Sequence, residues 1–117
     1  MPFDAAIDRT IASFKEQGFG VLSDIDIQAA MKTKLGVDFR PYRILGMCNP
    51  PLAHRALLAE DRIGVMLPCS VIVQEKGGSV EVAAVNPLVA MAAVDNPALG
   101  EVASEVTALI AQAVDAI

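Results

Sequence analysis

The side chains best suited to chemistry are two cysteines, each of which lies beside a proline. The segments Cys48-Asn49-Pro50 and Leu67-Pro68-Cys69-Ser70 contain both thiols of the 117-residue chain. A deprotonated thiol is a nucleophile and a ligand for soft metal ions, so its chemistry depends on how easily the proton leaves. These two segments are therefore where we look first for a functional site.

Cys48 lies just before a predicted helix start. Asn49 can cap this helix, and Pro50 suits its first position because the missing N–H costs nothing there. Unpaired N–H groups and the helix dipole favour negative charge at such a start, and Arg43 or Arg55 would act in the same direction. The sequence thus predicts a lowered pKa for the Cys48 thiol. A buried cysteine that packs as a small hydrophobe is the alternative that stays open.

Cys69 follows Pro68, which cannot donate to a sheet ladder and so predicts a strand edge or a bulge. Bulges re-aim side chains and occur beside functional sites. If the strand that ends at Cys48 lies next to the one that begins at Cys69, the two thiols could share a pocket. A disulfide between them would need Cα atoms within about 7 Å. A purely structural role for Cys69 is the alternative.

His54 is the single histidine of the chain. It lies one turn inside the predicted Pro50 helix, off the apolar stripe, and is therefore expected to be exposed. Together with Cys48 and Cys69 it offers three metal ligands, without the paired spacing of structural zinc sites. We predict no dedicated metal site, and these three residues are the candidates should a soft metal bind. The candidate binding or redox residues are Cys48, Asn49, His54 and Cys69.

The elements that must position these residues follow from apolar spacing, capping residues and turn signals. Helices are predicted at about Asp4–Gln17, Gln28–Leu35 and Pro50–Glu60, and from Pro97, capped by Asn96, to the end of the chain. Strands are predicted at Val21–Ile27, Tyr42–Cys48 and Ile63–Leu67, and as a hairpin over Cys69–Val85 that turns at Lys76-Gly77-Gly78. The segment Leu88–Val94 is ambiguous between a strand and a helical turn.

Helices at both ends and strands between them predict an α+β fold, an antiparallel or mixed sheet with helices packed on one face. The length fits one compact domain over residues 1–117. Hydrophobic residues make up 54% of the chain, and few polar residues are available for a solvated second sheet face. We therefore expect a homodimer in which a second subunit covers that face.

Charge and hydropathy exclude other partner classes. The net charge of −5 argues against nucleic acid, which requires clustered Lys and Arg. The best candidate for a membrane span, Val82–Val94, is interrupted by Asn86 and Pro87, so no transmembrane segment is predicted. The first residues lack the pattern of a secretory signal, so a cytoplasmic protein with reduced thiols is expected.

The sequence resembles the domain of unknown function 302 family over about residues 18–87. The resemblance is carried by Gly18-Phe19-Gly20-Val21-Leu22-Ser23-Asp24-Ile25-Asp26, Lys34-Leu35-Gly36-Val37, Tyr42-Arg43-Ile44-Leu45-Gly46, Cys48-Asn49-Pro50, Ala53-His54-Arg55-Ala56-Leu57 and Gly64 through Leu67-Pro68-Cys69. It implies a compact α+β fold, small homodimers and no established reaction. The signature positions it implies here are Gly46, Cys48, Asn49, Pro50, His54, Leu67, Pro68 and Cys69. Members usually begin with an extra strand, whereas this chain enters its first helix almost at once.

Three functions remain open at this point, and the sequence assigns no cofactor. The first is a dimeric binding or sensing module that holds a small molecule, a soft metal ion or a sulfur species near Cys48 and Cys69. The second is a structural or partner-interaction protein without pocket chemistry. The third is a thiol-dependent enzyme in which Cys48 is nucleophile or redox thiol, with His54 as base or Cys69 as resolving thiol.

Overall fold

Helices occupy both ends of the chain, and four strands lie between them. The computed structural model describes residues 1–117. Its α-helices are α1 (Phe3–Glu16), α2 (Ile27–Leu35), α3 (Pro50–Ala59), α4 (Pro87–Ala90) and α5 (Pro97–Asp115). Its strands are β1 (Gly20–Asp26), β2 (Tyr42–Cys48), β3 (Cys69–Lys76) and β4 (Ser79–Ala84), and a 3₁₀ helix spans Asp61–Met66. None of the helices combines the length and the apolar character needed to cross a membrane.

The four strands form one sheet in the order β1-β2-β3-β4, and every neighbouring pair is antiparallel. This confirms the α+β class and decides between the antiparallel and mixed alternatives. The predicted hairpin is β3 and β4, joined at Gly77 and Gly78, whose φ angles of +59° and +79° suit glycine. The sheet is an open meander with β1 and β4 at its edges.

One face of the sheet carries the hydrophobic core. Leu45 on β2 lies opposite Val71 on β3, and both are fully buried, as is Val73. Helices α1 and α5 contribute their apolar stripes to this core. The Ser13 hydroxyl of α1 donates to the carbonyl of Ala113 on α5 at 2.6 Å and so fixes the two terminal helices against each other.

A β-bulge interrupts the alternation of side chains near the start of β1. Val21 pairs with Met47, but Ser23 pairs with Gly46, so Leu22 is an extra residue between them. Directly opposed residues of paired strands point to the same face of the sheet. One extra residue therefore moves the side chains that precede it to the opposite face. Val21 therefore faces the core side with Met47, while Ser23 faces the outer side.

The predicted strand at Ile63–Leu67 is wrong, because this segment belongs to the 3₁₀ helix Asp61–Met66. The Glu60 side chain accepts a hydrogen bond from the Arg62 N–H and caps this turn. Only Ile63 of the segment is buried, whereas Val65 is 89% exposed. β-branched residues predict a strand only where a neighbouring strand can pair with them, and here the helix start and the single buried position favour a turn.

Two further features concern the segments that follow. The bulge expected at Pro68 is absent: β3 begins at Cys69 and pairs with β2 without a shift of register, while Pro68 precedes it in a cis Leu67–Pro68 peptide bond. The ambiguous segment after Asn86 contains the short helix α4, which begins at Pro87.

Candidate functional site

A cavity of about 280 Å³ opens at the end of the sheet where β2 finishes and β3 begins. Helices α3 and α5 and the short α4 form its walls, and the 3₁₀ segment with Leu67 closes one side. The side chains that line it most deeply are Met47, Leu52, Ala56, Cys69, Val102 and Ala103, all of them buried. Leu22 and Leu57 also line it and are 68% and 41% exposed, so they mark its mouth.

Each of the three helices around the cavity begins with an Asn-Pro pair. Asn49, Asn86 and Asn96 accept hydrogen bonds from the first turns of α3, α4 and α5, respectively. Proline suits the first position because the N–H it lacks would be unpaired there. The Asn96 side chain also donates to the Ala59 carbonyl at 2.8 Å, which ties the end of α3 to the start of α5. These caps hold the walls of the cavity in place.

The lining is almost entirely apolar. Of its 18 residues, 14 are hydrophobic, and the other four are Asn49, Gly64, Pro68 and Pro87. No charged side chain is among them. The polar side-chain atoms available to a bound molecule therefore belong to Asn49 and to the thiols of Cys48 and Cys69.

The structure brings Cys48 and Cys69 to the same cavity, as the sequence predicted they would be if their strands were neighbours. Cys69 pairs with Met47, so Cys48 lies one residue beyond the opposed pair. Strand spacing places their Cα atoms about 6 Å apart, which is within the range of disulfides. Side chains of successive strand residues point to opposite faces, however, and both thiols are free.

The pKa predicted for Cys48 is wrong in direction. Removal from water raises the pKa of the Cys48 thiol, and the same cause raises the pKa of the more deeply buried Cys69, with the neighbouring Cys48 as a smaller contribution. The start of α3 offers no compensating donors, because Pro50 and Pro51 have no N–H. The next two N–H groups, of Leu52 and Ala53, bond to the Asn49 side chain and carbonyl. Both thiols are therefore neutral near pH 7.

Asn49 holds two helices together. Its Oδ1 accepts from the Leu52 N–H at 3.5 Å, and its Nδ2 donates to the Gln17 carbonyl at the end of α1 at 3.2 Å. The amide is thus occupied on both sides. Asn49 lies on the cavity wall, and the contacts that it makes there are structural.

His54 does not join the other candidates. It is exposed on α3 and does not line the cavity. The two arginines expected near Cys48 are engaged elsewhere, since Arg43 pairs with Asp24 and Arg55 pairs with Glu105 at 2.7 Å. No three His, Cys, Asp or Glu side chains are grouped so as to hold a metal ion.

Sequence reasoning missed the half of the site that α4 and α5 contribute. Met91, Val102, Ala103 and Val106 line the cavity, and none of them is among the candidate residues that the sequence indicated. The repeated Asn-Pro starts were visible in the sequence and would have linked the three helices. The cavity that these helices share depends on the distances between them in the folded protein, which residue spacing in the sequence does not indicate.

Comparison with known proteins gives one family. The family model described as "Domain of unknown function DUF302" matches residues 1–117. A solved structure, the crystal structure of an uncharacterized conserved protein DUF302 from Bacillus stearothermophilus, is similar with a TM-score of 0.92 and 31% sequence identity, over 99% of this chain and 91% of that one. Among curated proteins, none is similar to this chain.

Proposed function

Because this chain belongs to the family of domain of unknown function DUF302, whose name assigns no activity, we propose its function from the cavity: it is a binding module that holds a small molecule between α3, α5 and the end of the sheet. The observation that carries this proposal is the 280 Å³ cavity with its apolar lining and two thiols on its wall. Small-molecule binding sites are typically concave and mostly apolar, with a few polar groups, and this cavity has the same properties.

The cavity itself favours binding over a purely structural role. Protein interiors are close-packed and contain few voids larger than a water molecule. An apolar void forfeits the contacts that its lining would otherwise make, so leaving one open works against stability. Larger side chains at Ala53, Ala56 and Ala103, which all line the cavity, would reduce it. Three alanines around one void suggest that the space is used.

The thiols support a binding role better than a catalytic one. A catalytic cysteine needs a lowered pKa or a base within hydrogen-bond reach. Here burial raises the pKa of both thiols, and His54 is exposed outside the cavity. A soft metal ion would need further ligands beyond the two thiols. A sulfur species carried on Cys48 is the alternative that a mass measurement can detect.

Native mass spectrometry of the purified protein tests the proposal, with a matched pair of variants. Ala103→Leu fills the cavity, whereas Ala108→Leu makes the same change at an exposed position of the same helix. We expect a bound mass, or a ligand-dependent rise in Tm with a library of small molecules, in the wild type and in Ala108→Leu but not in Ala103→Leu. Equal binding by both variants, or no binding by the wild type, would contradict it.

We also propose that the module is a homodimer joined through the outer face of its sheet. Ile25 lies opposite Ile44, Ile44 opposite Ile72, and Ile72 opposite Ala83, so an apolar row crosses all four strands on that face. Ile25 is 47% exposed. The radius of gyration of 15.2 Å also exceeds the roughly 13 Å expected for a compact chain of this length.

Light scattering after size-exclusion chromatography tests the dimer. We expect a mass near twice the 12.3 kDa of one chain. Ile25→Glu places a charge in the apolar row and should yield monomers. Val89→Glu makes a similar change at an exposed position of α4 and should leave the dimer intact. A monomeric wild type, or a dimer that Ile25→Glu does not weaken, would exclude this interface.

The compartment belongs to the same proposal. Cys48 and Cys69 are both free thiols, the state in which a reducing cytoplasm keeps cysteines. We propose that the module works there, on a small molecule and without nucleic acid, since its net charge is −5.

A further inference from the structure

We infer that the ligand of the cavity is a neutral, predominantly apolar molecule of about ten non-hydrogen atoms, with its single polar group at the mouth. This inference rests on the proposed binding function and adds the chemical class of the ligand. Three properties of the cavity carry it: its volume, the absence of charge from its lining, and the small hydrogen-bonding capacity of its polar groups.

The volume sets the size. An apolar cavity of 150 Å³ accommodates benzene, which is about 25 Å³ for each carbon atom. The 280 Å³ measured here therefore corresponds to about eleven carbon-sized atoms at the same filling. A nucleotide or an acyl-carrier cofactor is far larger and would lie mostly outside.

The lining excludes a buried charge. No Asp, Glu, Lys, Arg or His lines the cavity, and burying an ionised group without a partner is strongly unfavourable. Arg55, on the same helix as Leu52 and Ala56, is paired with Glu105 on the surface. The buried part of the ligand must therefore be neutral.

The polar groups on the wall also exclude a ligand with many hydroxyls. Both polar atoms of the Asn49 amide already have partners within the protein. The protonated thiols of Cys48 and Cys69 are weak donors and weak acceptors. A sugar or polyol would leave hydroxyls unpaired in the cavity, and each would weaken binding. Leu22 and Leu57, two exposed residues of the lining, leave one end of a ligand in contact with water.

A matched pair of probes tests this class. Nonan-1-ol and octane-1,8-diol both have ten non-hydrogen atoms, but the diol must bury a second hydroxyl. The readout is the rate at which iodoacetamide alkylates Cys48 and Cys69, resolved by peptide mass spectrometry, because a molecule in the cavity shields thiols on its wall. We expect nonan-1-ol to protect both thiols, with a Kd at least about tenfold below that of the diol.

The cavity variants locate the effect. Protection by nonan-1-ol should be lost in Ala103→Leu and kept in Ala108→Leu, which changes an exposed residue of the same helix. If Ala103→Leu does not fold, Ala53→Leu makes the same test at a half-buried lining position. Protection that persists in the filled variants would mean adsorption outside the cavity and would overturn the inference.

The remaining outcomes separate this inference from the proposed function. Protection by octane-1,8-diol equal to that by nonan-1-ol would overturn the apolar class and leave a binding cavity in place. A charged ligand that co-purifies with the wild type and is absent from Ala103→Leu would also overturn the apolar class and leave the binding cavity in place. Failure of both probes, in a protein that also carries no bound mass, would overturn the ligand class and the binding function together.

Discussion

The two ends of β2 differ in how their polar groups and space are used. At the Tyr42 end both arginines have partners: Arg43 donates to Asp24, and Arg40 lies 4.5 Å from the Phe39 ring centroid. The Arg40 Nε donates to the buried Gln74, opposite Tyr42, and Gln74 in turn donates to Glu81. At the Cys48 end there is no charge, and a cavity of 280 Å³ is left.

This difference separates structural residues from those with capacity to bind. The Tyr42 end has more charged and polar side chains, but Arg40, Arg43 and Gln74 use their hydrogen bonds within the protein rather than for a ligand. The apolar end looks inert, yet it holds unfilled volume and two thiols whose hydrogen-bonding capacity is unused. An empty cavity, or a polar group without a hydrogen-bond partner, indicates a binding site better than the number of charged residues does.

The largest effect is expected where the cavity wall meets the middle of β2. A Cβ atom at Gly46 would overlap with Ser23 Oγ and lie 2.6 Å from Pro68 Cγ. The proline ring cannot rotate away, so Gly46→Ala must displace the segment that closes the cavity. We expect a loss of about 3 kcal/mol in the free energy of unfolding, measured by urea denaturation.

The control for this substitution is Gly100→Ala on α5, where an added Cβ meets nothing within 4 Å. Alanine is the better helix former, so we expect a gain of about 0.5–1 kcal/mol there. Adding Ser23→Ala to Gly46→Ala should restore only part of the loss, since the contact with Pro68 remains. A stable Gly46→Ala protein would show that this wall is not rigid.

The sequence predicted most of the fold because its signals are local. Asn49-Pro50 and Asn96-Pro97 mark helix starts, and Gly77-Gly78 marks the hairpin, through the conformations of the residues themselves. The strand predicted at Ile63–Leu67 was wrong, because a strand forms there only if a neighbouring strand is available. No local pattern reports that.

For the site, residue types were predictable and their environment was not. A pocket shared by Cys48 and Cys69 was predicted on the condition that their strands are neighbours, and the strand order β1-β2-β3-β4 meets that condition. The pKa of Cys48 was predicted in the wrong direction, because Pro51 removes the second free N–H of the helix start and burial then dominates. Burial is a property of the assembled walls, including α5, and it decides the chemistry of the thiol.

The next effect is expected from replacing the thiols one at a time. Cys69 is 7% exposed, so Cys69→Ser buries a hydroxyl without a partner and should cost about 1–3 kcal/mol in the free energy of unfolding. Cys48 is half-buried, and Cys48→Ser should cost less than about 1 kcal/mol. Urea denaturation of both variants measures the difference. Equal losses would mean that the two sides of the cavity are equally accessible to water.

Alkaline pH should weaken the cavity end specifically. Burial raises the pKa of Cys48 and of Cys69 in the folded protein. The unfolded chain therefore loses these protons first, so their stabilisation is fully present below the unfolded pKa of about 8.5 and is lost as pH rises through the folded values. Denaturation at pH 7.5, 9 and 10 should show a steeper fall for the wild type than for the Cys48→Ser/Cys69→Ser double variant. If the unfolding free energies of the two proteins fall equally with pH, burial does not raise the pKa values of these thiols in the folded protein.

The smallest effect is expected at the polar end, where Asp24 pairs with Arg43 and both are partly exposed. The hydrogen bond from Arg43 lowers the pKa of Asp24, so the stabilisation is present above the unfolded pKa near 3.9 and is lost as pH falls through the folded value. Solvent screens the pair, and Asp24→Asn should cost only about 0.5 kcal/mol at pH 7. This difference should shrink as pH falls below about 3.9, while Asp8→Asn, at an exposed position, serves as the control. A loss at Asp24 as large as that at Cys69 would reverse the comparison, because charge pairing rather than apolar packing would then hold β2 in place.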